Sequence, residues 1–289
     1  MGINVWFWGP PGWRVVFAIG KYVHTLVPAF RARHQEDKAR EVVLWAGRTL
    51  RAFFAAAPCP YCRASCPVFV AELEAASRAP MEAHLWNGQG LRFLHDLRNK
   101  VNMKLQAQHL SQFTALRGAV SFRGKSCDVP CRMIRFETWR DRLLLQRRNF
   151  SDEDIELVLN ALRLDHTPAL AQHYVLFLHG LAKLTQLESR THDSPRDAFA
   201  PMRRLSQLLL PLARLAVLQP ELLAVNGGFS RVVLQVMSGM RGVALAGGEA
   251  ATSTLERKLF APYDVMRVGV VCAKETCAVQ PPASATRME

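Results

Sequence analysis

Apolar residues recur at steps of three and four along much of the chain, the repeat of helices with one buried face. Trp13, Val16, Phe17, Gly20 and Val23 follow this repeat and predict a helix over residues 12–30. Val43, Ala46, Leu50, Phe53 and Ala57 predict a second over 36–57. A third, over 60–77, opens on Cys59-Pro60-Tyr61-Cys62, with the proline tolerated in its first turn. Leu91, Leu94, Leu97, Val101 and Leu105 form the stripe of a helix over 88–107, and a shorter one is expected near 133–146. Four helices with short connections make an antiparallel bundle the economical arrangement, with the short fifth helix closing it. Ser151-Asp-Glu-Asp154 reads as a capping-box start for a helix over 152–164. Further helical segments near 168–188, 196–218 and 228–241 are separated by Pro, Gly and Asn punctuation. The expected fold class is all-α. A four- or five-helix bundle spans residues 1–148, and an all-helical accessory domain with a loose Pro/Ala/Ser tail spans 149–289.

Composition supports a packed protein: 49% of the 289 residues are hydrophobic and 21% charged, enough apolar mass for a real core. No run of about 18 apolar residues is free of charge or proline. The apolar start, NVWFWGPPGW, lacks a basic leader and contains Pro10 and Pro11, so neither a signal peptide nor a membrane span is expected there. A soluble intracellular protein is the resulting expectation. The net charge of +13 includes Arg140-Asp141-Arg142 and Arg147-Arg148, but no recognised nucleic-acid motif accompanies it. Nucleic acid is therefore not an expected partner, whereas an anionic dinucleotide or an acidic protein suits the charge.

Cysteine changes the picture. The seven fall in three groups: Cys59, Cys62 and Cys66, then Cys127 and Cys131, then Cys272 and Cys277. Clustered pairs without a leader point to metal or redox chemistry. Cys59-Pro-Tyr-Cys62 spells a glutaredoxin dithiol, but that fold requires a β-strand before the motif, and residues 48–57 are alanine-rich and helix-periodic. A zinc site assembled from Cys59, Cys62, Cys66 and one of Cys127 or Cys131 would have to use a CxxxC pair and consecutive turns of one helix, an unusual ligand spacing. A dithiol at a helix start has its own rationale: free backbone N–H groups and the helix dipole favour a thiolate, lowering its pKa. His95, Asn99 and Asn102 recur at i, i+4 and i+7 on one face of the 88–107 helix, and amides on an inward face need partners.

Three separated stretches together resemble the FAD-linked sulfhydryl oxidases of the Erv/ALR family, above all its large-DNA-virus branch. Trp8-Gly9-Pro10-Pro11-Gly12-Trp13 is similar to the family's WGP..W opening. Phe54-(Ala)3-Pro58-Cys59-Pro60-Tyr61-Cys62-Arg63 is similar to its FPCxxCR segment. Phe93 to Leu105, with Arg98-Asn99, Val101-Asn102 and Leu105, is similar to its HNxVNxxL helix. The resemblance covers roughly residues 5–145. It implies a helical bundle that holds FAD beside the Cys59/Cys62 dithiol. Cys59 would be the exposed sulfur that exchanges with dithiol client proteins, and Cys62 would pass the electron pair to FAD, with molecular oxygen as final acceptor giving H2O2. It also implies cofactor contacts from Gly9, Trp13, Phe17, Tyr22, His95, Arg98, Asn99, Val101, Asn102 and Leu105, and a homodimer. The implied location is host cytoplasm or virion for a viral member, or the mitochondrial intermembrane space.

Two positions depart from the family pattern: Phe17 and Arg98 stand where it has histidines. Phe17 can still stack on a purine, Arg98 can stack or meet a pyrophosphate, and His24 could replace one histidine if the first helix is shifted. Cys66 reads as a buried inert thiol. Family members often carry a second, mobile disulfide, and Cys127/Cys131 and Cys272/Cys277 are both candidates for that shuttle. No metal is expected. Alternative readings are a non-catalytic scaffold built on an oxidase-like bundle and, third, a basic nucleic-acid-binding helical protein.

Overall fold

In the computed structural model the first helix, α1 (Val5–Ala32), starts at Val5 rather than at residue 12 and carries Pro10 and Pro11 inside it. The structure describes residues 5–116, 135–146, 152–164 and 170–189. The helical segments expected at 196–218 and 228–241 and the tail lie outside them, as do Cys127, Cys131, Cys272 and Cys277. Among the described residues there are helices and no strand, an all-α fold as expected.

Helices α2 (Glu36–Ala55), α3 (Pro60–Ser77) and α5 (Gly90–Leu116) match the predicted segments to within a few residues, except that α5 runs on past residue 107. The short α4 (Met81–Trp86) was not anticipated. It buries Met81 and Leu85 in a length too short to display a periodic stripe. Helix α6 (Phe136–Leu145) follows, then α7 (Asp152–Leu164) and α8 (Ala171–Ser189). Helix α1 packs against α2, α5 and α7. It buries Val15, Val16, Ile19, Tyr22, Val23, Leu26 and Phe30, apolar over most of its circumference as befits a central helix.

Helices α7 and α8 pack directly on the bundle, α7 against α1 and α8 against α2. Their apolar residues join the first five helices in one buried cluster. Arg14 of α1 donates to both carboxylate oxygens of Asp154 on α7, one bond 3.0 Å long. The Tyr22 hydroxyl donates to the Leu184 carbonyl of α8. Helix α8 crosses α2 so closely that a Cβ built on Gly180 would overlap the Thr49 hydroxyl. Glycine is required there by the close approach of the Thr49 side chain, not by a turn.

One guanidinium ties three helices. Arg51 of α2 donates to both oxygens of Glu82 on α4, at 2.9 and 2.8 Å, and to Glu74 of α3. The same Glu74 carboxylate accepts the Met81 amide at 2.7 Å, capping the start of α4. The Arg51 bonds hold the Glu82 carboxyl below its usual range. This network fixes α3, and with it the cysteine motif, on the end of α2.

Candidate functional site

Cys59 is the N-cap of α3 in extended backbone, and Pro60 occupies the first helical position. Arg63, one turn into the helix, donates to the Ala57 carbonyl at 2.9 Å and clamps the short link from α2. Cys59, Cys62 and Cys66 are all thiols. Lys104 of α5 donates to Ser65 of α3, at 2.5 Å, between the dithiol and Cys66.

The two later sulfurs of the motif both depart from their ordinary pKa values. The Cys62 thiol is pushed well above its ordinary value, first by its hydrogen bond with Cys59, then by burial and the neighbouring sulfurs, with Lys104 pulling the other way. Burial pushes the Cys66 thiol up to about 12, again against Lys104. In a hydrogen-bonded pair of thiols one member loses its proton first, and Cys62 is the member that keeps it. Exposure also runs opposite to what the resemblance implies: Cys59 is 4% exposed, and Cys62 is the half-buried residue. Cys66 is buried, as expected of an inert thiol.

Helix α5 carries two buried stripes. Leu91, Leu94 and Leu97 pack in the core, and Val101 packs half-buried against it. The polar stripe is buried too: His95 and Asn102 are 5% and 4% exposed, and Asn99 is half-buried. His95 Nδ1 lies 3.1 Å from the Asp96 carboxylate and 3.5 Å from the Asn99 amide. The Asn102 amide, by contrast, has no hydrogen-bond partner among the described residues. The Arg98 guanidinium, half-buried and lowered in pKa by desolvation, has neither a hydrogen bond nor an ion pair there. The side chain of Leu105 lies outside the described residues.

In its first half this helix meets an aromatic cluster. Trp13 and Phe17 stack at 5.4 Å, and the Arg98 guanidinium sits 5.4 Å over the Phe17 ring. Trp139 of α6 meets Phe17 edge-on at 4.8 Å and His95 at 5.2 Å. Phe136 of α6 packs against His95 and lies beneath the Arg92 guanidinium at 4.9 Å. The structure thus brings Trp13, Phe17, His95, Arg98 and Asn99 together. At 1.5 Å per residue, Asn102 stands about 3 Å along the axis from Lys104, which bonds Ser65, and His95 about 10 Å further on.

Other predicted positions are placed differently. Tyr22 is 1% exposed, and its hydroxyl is committed to α8. At Gly9 a Cβ would meet nothing within 4 Å, so no close approach demands glycine. His24 contributes no ring contact to the aromatic cluster. Trp139 and Lys104 were missed, since each acts through a helix distant in sequence. Trp8, matched in the first motif, is buried beside Gly12 and Phe53, and its indole N–H has no hydrogen-bond partner among the described residues.

Among the described residues no group of three His, Cys, Asp or Glu side chains could hold a metal, and no helix is long and apolar enough to cross a membrane. Comparison of the chain with profiles of known families, with curated proteins and with solved structures finds no match in any of them.

Proposed function

We propose that the chain is an FAD-linked thiol oxidase that forms disulfides in client proteins, as its resemblance to the Erv/ALR family implies. The observation that carries this reading is the buried polar stripe of α5, on the helix whose Lys104 bonds the cysteine-bearing α3, together with polar groups that have no hydrogen bond among the described residues. These are the amide of the buried Asn102, the half-buried Arg98 guanidinium over Phe17, and the buried Trp8 indole N–H. Buried polar groups are ordinarily satisfied, and an unpaired cation costs more than an unpaired amide. A flavin dinucleotide has the chemistry to satisfy all three: ring-edge donors and acceptors for Asn102 and Trp8, a pyrophosphate for Arg98, and flat faces for Trp13, Phe17 and Trp139. The group supplies the two-electron acceptor and the route from dithiol to oxygen.

The chain's own residues perform thiol–disulfide exchange. A client thiolate attacks one sulfur of the Cys59–Cys62 disulfide, and a mixed disulfide forms as the internal bond breaks. A second client thiolate displaces the enzyme sulfur, leaving the client disulfide and two enzyme thiols. Over a cycle, two R–SH and O2 give R–S–S–R and H2O2. The hydrogen bond between the two thiols stabilises this reduced state, and Arg63 holds the link that presents it.

The full chain, reconstituted with FAD, is expected to be yellow at one flavin per chain and to consume oxygen with a dithiol reductant. Cys59→Ser and Cys62→Ser should each abolish consumption while retaining flavin. A chain that stays colourless after reconstitution overturns the reading. Treated with an activated client disulfide, the same variants report which sulfur meets the client, because only an accessible remaining thiol takes up the client sulfur as the activating thiol leaves. The scaffold reading draws on the closed Trp13–Phe17–Arg98 stack, and oxygen consumption excludes it.

A further inference from the structure

A cavity of about 550 Å3 opens between the second half of α1, the start of α2 and the end of α4, away from the cysteines. That volume lies in the range of small-molecule sites. One face of α1 forms a wall, with His24, Val27, Pro28 and Arg31 at helical spacing. Val23, Val27 and Leu85, each 1–2% exposed, close the apolar floor, and Trp86 and Pro28 supply the accessible apolar surface, with the Arg31 guanidinium 5.0 Å over the Trp86 ring.

The polar groups of this cavity are under-used. Arg31 Nε and the Glu36 carboxylate stand 3.6 Å apart, too far for a hydrogen bond, and both side chains are about half exposed. His24 Nδ1 is buried without a hydrogen-bond partner among the described residues. Pro28 has no N–H, so it cannot make the helical bond to the His24 carbonyl four residues back. The wall therefore presents a cation, an anion and a backbone acceptor within one helical turn or two, above an apolar floor.

We propose that this cavity binds a free amino acid with an apolar side chain. Its carboxylate lies on Arg31, its ammonium on Glu36 and the His24 carbonyl, and its side chain against Trp86 and Pro28. An α-amino acid carries its two opposite charges on neighbouring atoms, which matches a loosely spaced Arg–Glu pair better than a simple anion or cation does. A simple anion would leave Glu36 facing it, and a simple cation would face Arg31.

The test is calorimetric titration of the full chain with L-phenylalanine, with N-acetyl-L-phenylalanine and L-phenylalaninamide as analogues lacking one charge. The expected result is one L-phenylalanine bound per chain and at least tenfold weaker binding of either analogue. Arg31→Met and Glu36→Gln lie on half-exposed side chains and should leave the melting temperature nearly unchanged. Each should weaken L-phenylalanine tenfold or more, while Arg31→Met leaves the amide, and Glu36→Gln the N-acetyl compound, unaffected. Absence of binding, equal binding of the three ligands, or insensitivity to both variants overturns the proposal. None of these readings depends on flavin content, so the outcome is separate from that of the oxidase test.

Discussion

Under the proposed function, Arg98 serves the cofactor at a cost to the fold. Its guanidinium is half-buried over Phe17 with no carboxylate to offset the lost hydration. Under the proposed Erv/ALR resemblance Phe17 and Arg98 stand at two histidine positions, and they are in contact, so the two departures form one altered pair. Arg98→Leu should keep the stack on Phe17 while removing the unpaired charge. Stability of the flavin-free protein is then expected to rise by about 1 kcal/mol in denaturant titration. FAD affinity should fall tenfold or more, as expected when a charged hydrogen bond to phosphate is lost. A variant that is less stable and binds FAD normally would assign Arg98 to the fold instead.

Among the elements, α3 and α8 carry the consequences most open to measurement. The start of α3 has every local feature that lowers a thiol pKa, yet Cys62 is raised by its bond with Cys59 and by burial. Alkylation of Cys62 in the reduced protein, followed by mass spectrometry, should be slow at pH 7 and keep rising beyond pH 9. An ordinary thiol would level off near its pKa of about 8.5. A plateau below pH 8 would restore the helix-dipole expectation. The sign for stability follows: a raised thiol contributes fully below about pH 8.5, and that contribution is lost as pH rises through the folded value. At the other contact, Gly180→Val must push α8 away from Thr49. Overpacking of this kind costs about 1–3 kcal/mol, visible as a lower denaturation midpoint.

At the scale of the molecule, the helices were legible because each long one keeps an apolar face for several turns, as Leu91, Leu94 and Leu97 do on α5. Helix α4 was not legible, since six residues after Pro80 cannot show a period. The site was half legible. His95, Asn99 and Asn102 share a face by simple counting, but burial of that face depends on Trp139 and Phe136, which arrive from α6 through no local pattern. The Arg51 network and the Lys104–Ser65 bond are likewise pairings between distant segments, invisible to periodicity. The cover that α7 and α8 place over α1 and α2 is a fourth case, set by Arg14–Asp154 and by Gly180 against Thr49.

Helix α6 is attached to this assembly by an amine. The buried Lys21 of α1 donates to the Leu143 and Gln146 carbonyls at 3.1 and 2.6 Å, closing the C-terminal end of a ten-residue helix. A helix that short does not persist alone in water. Its amide protons should therefore exchange with deuterium together, in one opening event that detaches Lys21 and uncovers Phe17 and His95. In Lys21→Met that event becomes more frequent, so exchange in α6 accelerates at least tenfold while α2 keeps its protection. Equal acceleration in both helices would mean that α6 opens only when the whole bundle does.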